Sequence, residues 1–183
     1  MKEALIHKIL KVVSPKGVIS QNPSGGYDID GSVNFGLLKQ KITTLKPFRF
    51  GIVRGSFHCS NQDLTSLEGA PEWVFGNFNC SRNNLKNLVG GPSFVGNGYF
   101  CHNNELTTLE GFPNQRISGT VNISHNKLTS LKGSPKEVYR DFICVQNKIT
   151  SFEGAPRKIY NNFDCSFNEI FLMEGFPERV SGD

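Results

Sequence analysis

A repeat of about 21 residues constrains this 183-residue chain more than any other feature of its sequence. The repeat is marked by cysteines that lie 21, 21, 43 and 21 residues apart: Cys59, Cys80, Cys101, Cys144 and Cys165. The gap of 43 residues contains one unmarked unit, in which Ile123 stands where the other units have cysteine. A fixed period of this length is typical of solenoids, in which each repeat forms one turn and stacked turns share a core.

Further positions of the repeat keep the same type of residue in all six units. Two residues before each mark stands an aromatic residue or valine, and large apolar residues follow the mark by five and eight residues. Glycine follows the mark by ten residues and proline by twelve. Asparagine follows it by three residues, except in the first unit, which has Gln62. In the unit marked by Cys80 these residues are Phe78, Asn83, Leu85, Leu88, Gly90 and Pro92.

Each unit predicts one short strand and one return segment. The alternation in Phe78-x-Cys80 places both side chains on one face of a strand, directed into the core. Glycine and proline interrupt regular structure, so we predict irregular return segments. The cysteines then form a column of buried small hydrophobic residues rather than disulfides or a zinc site. The predicted fold is a β-rich solenoid with short parallel strands on one face.

The chain is predicted to have two parts. Residues 1–30 form an N-terminal cap, with an amphipathic helix over 2–13 and a short hairpin. Residues 31–183 form the solenoid, with units starting near residues 31, 55, 76, 97, 119, 140 and 161. No apolar run is long enough to span a membrane, and the N-terminus does not resemble an export signal, so we predict a cytoplasmic protein without membrane contact.

The repeat resembles a known family. The pattern Phe78-x-Cys80-x-x-Asn83-x-Leu85-x-x-Leu88 is similar to the core of leucine-rich repeats. The segment 64–67, followed by Pro71, resembles the short repeats of secreted bacterial effectors. Segments 64–71 and 79–85 are closer to repeat proteins encoded by tailed bacteriophages, which also open with a segment like 27–35.

The resemblance covers about residues 27–183 and implies a leucine-rich repeat stack that serves as a binding scaffold. It implies a phage-encoded protein that binds and inhibits or redirects a host or bacterial protein, in defence or metabolism, within the host cytoplasm. Bacterial effectors with similar repeats carry a separate ligase domain, for which this chain leaves no residues.

The sequence contains no recognisable catalytic motif. The four histidines are not paired periodically with serine, cysteine or carboxylate, and the glycines are repeat punctuation rather than a phosphate-binding loop. We therefore predict no enzymatic activity, no catalytic residues, no metal and no cofactor.

Charge raises an alternative function. The net charge of +4 divides into +6 over residues 1–54 and −2 over the remainder. A basic cap of this kind can contact nucleic acid, although it lacks dense arginine clusters and solvated lysines explain it more simply. A role as a virion or assembly component is a further alternative.

The partner is predicted to bind outward-facing strand positions on the concave face of the solenoid. Most of these positions are small and polar, but Phe100, Ile143 and Val145 are apolar and are candidate anchors. Aromatic residues on the return segments, such as Trp73 and Tyr139, are expected to pack on the convex side. The predicted binding residues on the concave face are His58, Asn79, Phe100, His102, Asn122, Ile143, Val145 and Asp164.

The last unit departs from the repeat. Phe171-Leu172 replaces the polar pair found in the other units, and we expect this end of the stack to be uncapped. Phe167, Phe171 and Leu172 are therefore candidate residues for a partner or homodimer interface. The alternative is that Phe171 folds over the end as a cap.

Overall fold

The computed structural model describes residues 3–113 and 116–182, and its regular elements are one helix, one 3-10 turn and short strands. The α-helix α1 spans Glu3–Val13 and the 3-10 turn spans Phe35–Leu37. The strands, in chain order, are β1 (Val18–Gln21), β2 (Tyr27–Asp30), β3 (Val33–Asn34), β4 (Phe50–Val53), β5 (Phe57–His58), β6 (Trp73–Val74), β7 (Phe78–Asn79), β8 (Phe94–Val95), β9 (Tyr99–Phe100), β10 (Val121–Asn122), β11 (Glu137–Val138), β12 (Phe142–Ile143), β13 (Lys158–Ile159), β14 (Phe163–Asp164) and β15 (Arg179–Val180).

The described strands form one long sheet and two shorter ones. The long sheet has the order β3-β5-β7-β9-β10-β12-β14, and all of its neighbours are parallel and in register. The two shorter sheets, here called the return sheets, have the orders β1-β2-β4-β6-β8 and β11-β13-β15. Only the β1–β2 hairpin is antiparallel among the described pairs. The chain is therefore a β-solenoid of about seven parallel turns, with its helix at the N-terminal end.

The strand and core prediction is confirmed. Phe57, Phe78, Tyr99, Val121 and Phe142 are fully buried in the long sheet. All five cysteines are free, and every one but Cys165 is buried. Burial of the column in an apolar core raises the pKa of these thiols, because a thiolate there would lose its hydration.

The return segments are more regular than predicted. After each proline, one β-branched residue packs in the core and lies in a two-residue strand or bridge that pairs with a neighbouring turn. Because this residue recurs with the same period as the cysteines, it forms a second column opposite the first. The column consists of Val74, Val95, Ile117, Val138, Ile159 and Val180, of which Val180 is partly exposed.

The asparagines form a ladder that joins neighbouring turns. The side-chain amide of Asn83 donates to the carbonyl oxygens of Cys59 and Cys80 at 2.9 and 3.0 Å, and its oxygen accepts from the N–H groups of Gln62 and Leu64. Three of these four bonds, all but the one from the N–H group of Gln62, recur at Asn104, Asn126, Asn147 and Asn168. The ladder thus satisfies backbone groups at the corner where each strand ends.

Helix α1 packs on the first turn through Ile6, Leu10 and Val13, which are buried. Leu5 is also an apolar residue of the predicted helix but is 49% exposed, because its position on the helix faces away from the core. Lys2, the first residue of the predicted helix, lies outside the described residues. The division of the chain at residue 30 remains a prediction.

Candidate functional site

The outer face of the long sheet carries the predicted binding residues in two adjacent columns. His58, Asn79, Phe100, Asn122, Ile143 and Asp164 pair in register from one strand to the next. His102 and Val145 lie two residues further along their turns, beside Phe100 and Ile143. All eight are half-buried except Asp164, which is exposed. The structure thus brings the predicted residues onto one face.

An apolar cluster occupies the middle of this face. Asn122 pairs with Phe100 on one side and with Ile143 on the other, and Val145 lies beside Ile143. We call Phe100, His102, Asn122, Ile143 and Val145 the central patch. The strands on either side of the patch present polar or charged residues instead. The patch therefore combines a rigid backbone with side chains that are only partly removed from water.

Phe100 depends on a glycine that the sequence did not single out. A Cβ atom added to Gly98 would lie 2.8 Å from the Phe100 ring, so the ring lies over the backbone of Gly98. Neighbouring turns have Asn77 and Thr120 in the position of Gly98. The sequence shows that Gly98 has no side chain in a column where its neighbours do. Only the structure shows that the Phe100 ring fills this space.

Two histidines on this face are held toward the neutral form. Burial lowers the pKa of His58. Burial also lowers the pKa of His102, and the nearby charges of Arg82 and His125 add to the effect. The Nδ1 atom of His102 is buried and has no hydrogen-bond partner among the described residues. The face therefore presents imidazole groups as neutral polar surface near pH 7.

The last described turn, residues 161–182, is the most exposed part of the solenoid. Phe171, which the sequence offered as a cap or an interface residue, is 73% exposed and does not cover the end. Phe167 is 81% exposed and Leu172 is 49% exposed. Phe176 instead packs on Phe152 and Phe163, with ring centroids 5.0 and 6.1 Å away.

Phe176 was missed by the sequence reasoning, although a signal for it existed. Phe112 occupies the same position of the repeat and packs on Tyr99, with ring centroids 4.4 Å apart. An aromatic residue directly before the repeat proline is thus a second way to fill the core. In the last turn the same contact leaves Phe176 48% exposed, because no described turn follows.

The return sheets carry aromatic side chains that are more exposed than predicted. Trp73 and Phe75 are each 44% exposed and contact Phe94, with ring centroids 5.7 and 5.6 Å away. Tyr139 stacks on Tyr160 with ring centroids 4.7 Å apart. These residues pack mainly against one another, on the other side of the solenoid from the central patch.

No group of three or more potential metal-ligating side chains is brought together among residues 3–113 and 116–182. Within the same residues, α1 is too short to cross a membrane, and no other helix is long and apolar enough to do so. The basic side chains of the cap, including Lys8, Lys11 and Lys16, are exposed on and after α1.

The fold and the face define a β-solenoid with a partly apolar outer sheet surface. Comparison with protein-family models, with curated proteins and with solved structures gives no match.

Proposed function

We propose that this chain is a non-catalytic protein-binding module of the leucine-rich repeat type, and that the central patch contacts the partner. The observation that carries the proposal is the placement of Phe100, Ile143 and Val145 together on the outer face of the long sheet. Half-buried apolar side chains on a rigid surface, surrounded by polar residues, are typical of the centre of a protein interface. Burial of these side chains costs little conformational entropy, because the sheet already fixes their backbone.

The proposed partner is a host or bacterial protein, which the chain inhibits or redirects by occupying its surface. This part rests on the resemblance of the repeat units to phage-encoded repeat proteins. Stoichiometric binding needs no catalytic group or cofactor. The resemblance to phage-encoded proteins also implies that the protein acts in the cytoplasm of the host cell.

Affinity purification from bacterial lysate with three matched proteins tests the proposal. The wild-type chain is compared with Ile143→Asp in the central patch and with Val89→Asp, which puts the same charge at a 49% exposed residue elsewhere. We expect a partner that the wild-type chain and Val89→Asp retain and that Ile143→Asp loses. Retention of the same proteins by all three, or loss from both variants, would refute the proposal for this patch.

A second candidate function is nucleic-acid binding by the cap, which the net charge of +6 over residues 1–54 favours. A gel shift at low and moderate salt, with Lys8, Lys11 and Lys16 replaced by glutamate, tests it. Binding that weakens steeply with salt and disappears in the variant supports this function, and no shift at low salt refutes it.

A further inference from the structure

The last described turn, residues 161–182, carries backbone donors that have no acceptor among the described residues. These are the N–H groups of Phe163, Cys165, Phe167 and Ile170. In the preceding turn, the four equivalent N–H groups all donate to the turn that follows, at 2.8 to 3.1 Å. Their acceptors are the carbonyl oxygens of Asn162, Asp164 and Ser166 and the side-chain oxygen of Asn168. The end of the long sheet is thus arranged to accept one more strand.

Apolar side chains surround these donors. Phe167, Phe171 and Met173 are 81%, 73% and 67% exposed, and Leu172 and Phe176 are each about half exposed. Water satisfies the open N–H groups but gains nothing from this apolar surface. An extended polypeptide can do both. Its backbone carbonyl oxygens accept hydrogen bonds from the open N–H groups, and its apolar side chains at alternate positions cover the apolar surface.

The charge of this turn indicates what the extended segment contains. Residues 161–182 hold four acidic residues and one basic residue, a net charge of −3. Glu178 pairs with Arg157, whereas Glu169 and Glu174 have no ion-pair partner among the described residues. A second copy of this chain that docked through the same end would bring a like charge, and the repulsion disfavours it.

The internal turns show which residues form ion pairs with the repeat positions of Glu169 and Glu174. Glu105 has the position of Glu169 and pairs with Lys127 of the following turn at 3.3 Å. At the position of Glu174, Lys132 pairs with Glu153 across neighbouring turns at 2.8 Å. A basic residue at each position is therefore the complement that this fold already uses.

We propose that residues 161–182 bind an extended, basic segment of a partner protein, which adds to β14 as a further parallel strand. The bound segment supplies carbonyl oxygens to Phe163 and Cys165, an amide or hydroxyl oxygen to Ile170, and lysine or arginine to Glu169 and Glu174. This inference deepens the proposed function, since it assigns a second contact surface to a protein-binding module, on a different face from the central patch.

The chain itself provides a probe for this site. A synthetic peptide of residues 119–139 contains Val121 and Ile123 at the core-facing strand positions, and it lacks cysteine. It also carries Asn126, Lys127 and Lys132 at the repeat positions that would face Ile170, Glu169 and Glu174. The peptide therefore has every feature that the proposal requires.

Titration of the full chain into the labelled peptide, followed by fluorescence anisotropy, tests the proposal. We expect saturable binding of the peptide and none of a scrambled peptide of the same composition. The peptide with Lys127→Glu and Lys132→Glu should bind about tenfold more weakly, from the loss of two exposed ion pairs and the repulsion that replaces them. The protein with Glu169→Lys and Glu174→Lys should recover the affinity for this reversed peptide.

Hydrogen exchange locates the bound peptide. The amides of Phe163, Cys165 and Ile170 should become protected when the wild-type peptide is present. No binding, equal binding of the scrambled peptide, or protection elsewhere would overturn the proposal. Self-association of the chain that protects the same amides would also overturn it, because the occupant would then be a second copy.

The experiment separates this proposal from the proposed function. Ile143→Asp changes the central patch and should leave the affinity for the peptide unchanged. The protein with Glu169→Lys and Glu174→Lys should lose affinity for the wild-type peptide, and this result does not alter the lysate test of Ile143→Asp. A negative lysate test likewise does not alter the result with the peptide.

Discussion

Replacement of Asn83 by alanine tests the asparagine ladder, which joins each turn of the solenoid to the one before it. The Asn83 side chain accepts hydrogen bonds from the N–H groups of Gln62 and Leu64 at 3.0 and 2.9 Å. It donates to the carbonyl oxygens of Cys59 and Cys80 at 2.9 and 3.0 Å. Asn83→Ala leaves the N–H groups of Gln62 and Leu64 and the carbonyl oxygen of Cys59 without this partner in a buried region, whereas the Cys80 carbonyl still accepts from Asn104 at 3.1 Å.

The cost follows from the number of groups left unpaired. Each net hydrogen bond contributes about 1 kcal/mol, and a buried group without a partner costs more, so we expect a loss of about 3–5 kcal/mol. That is a large share of the roughly 5–15 kcal/mol by which domains are stable. Asn83→Leu keeps the volume but loses the same bonds, and should be similarly destabilising.

Asn168 provides the matched control, because it makes the same kind of bonds in the last described turn but is half-exposed. Water can hydrate the groups that Asn168→Ala frees, so we expect a loss of only about 1 kcal/mol. Urea denaturation followed by far-UV circular dichroism measures both variants. Equal losses at the two positions, or a loss at Asn83 below about 1 kcal/mol, would refute this account of the ladder.

Four further results are expected. Tyr99→Phe should raise the free energy of unfolding by about 1 kcal/mol, since the buried Tyr99 hydroxyl has no hydrogen-bond partner among the described residues; thermal denaturation measures it. Gly111→Ala should cost about 2 kcal/mol or more and Gly25→Ala less in urea denaturation, because both have positive φ but only at Gly111 would a Cβ meet the backbone of the neighbouring turn. Cys165 should be the one thiol that a thiol reagent labels at pH 8 in the native protein, with all five labelled after unfolding. The lowered pKa of His102 means that the unfolded chain binds its proton more tightly, so the free energy of unfolding should fall as pH drops below 6.5 and His102→Gln should reduce that slope.

The sequence was sufficient to predict the stacked turns because every turn repeats one buried pattern. Phe78 and Cys80 alternate with polar residues, and this pattern admits one strand orientation with respect to the core. The column of Val74 and its equivalents was equally periodic, but glycine and proline beside it indicated irregular structure. Two-residue strands of this kind depend on pairing with neighbouring turns, which local propensity does not register.

The candidate binding surfaces were harder to predict from the sequence than the fold. The positions of Phe100 and Ile143 on one face follow from the period, but the support of the Phe100 ring by Gly98 depends on side-chain direction. The sequence did not determine whether Phe171 covers the end of the stack or is exposed, because the same residue type is compatible with both arrangements. The open N–H groups in the turn that contains Phe163 depend on the direction of the backbone hydrogen bonds, which only the three-dimensional structure shows.

The identical bonding between successive turns has a consequence for how such a chain can change in length. Each turn donates the same hydrogen bonds forward and receives the same hydrogen bonds from behind, so a block of about 21 residues is self-contained at both of its edges. Duplication or deletion of one whole block therefore preserves every joint in the molecule, whereas an insertion of a few residues must be absorbed within its own turn, as the 22-residue spacing between Tyr99 and Val121 is. The natural unit of variation in this architecture is the turn, and the number of turns sets how far apart two binding surfaces lie.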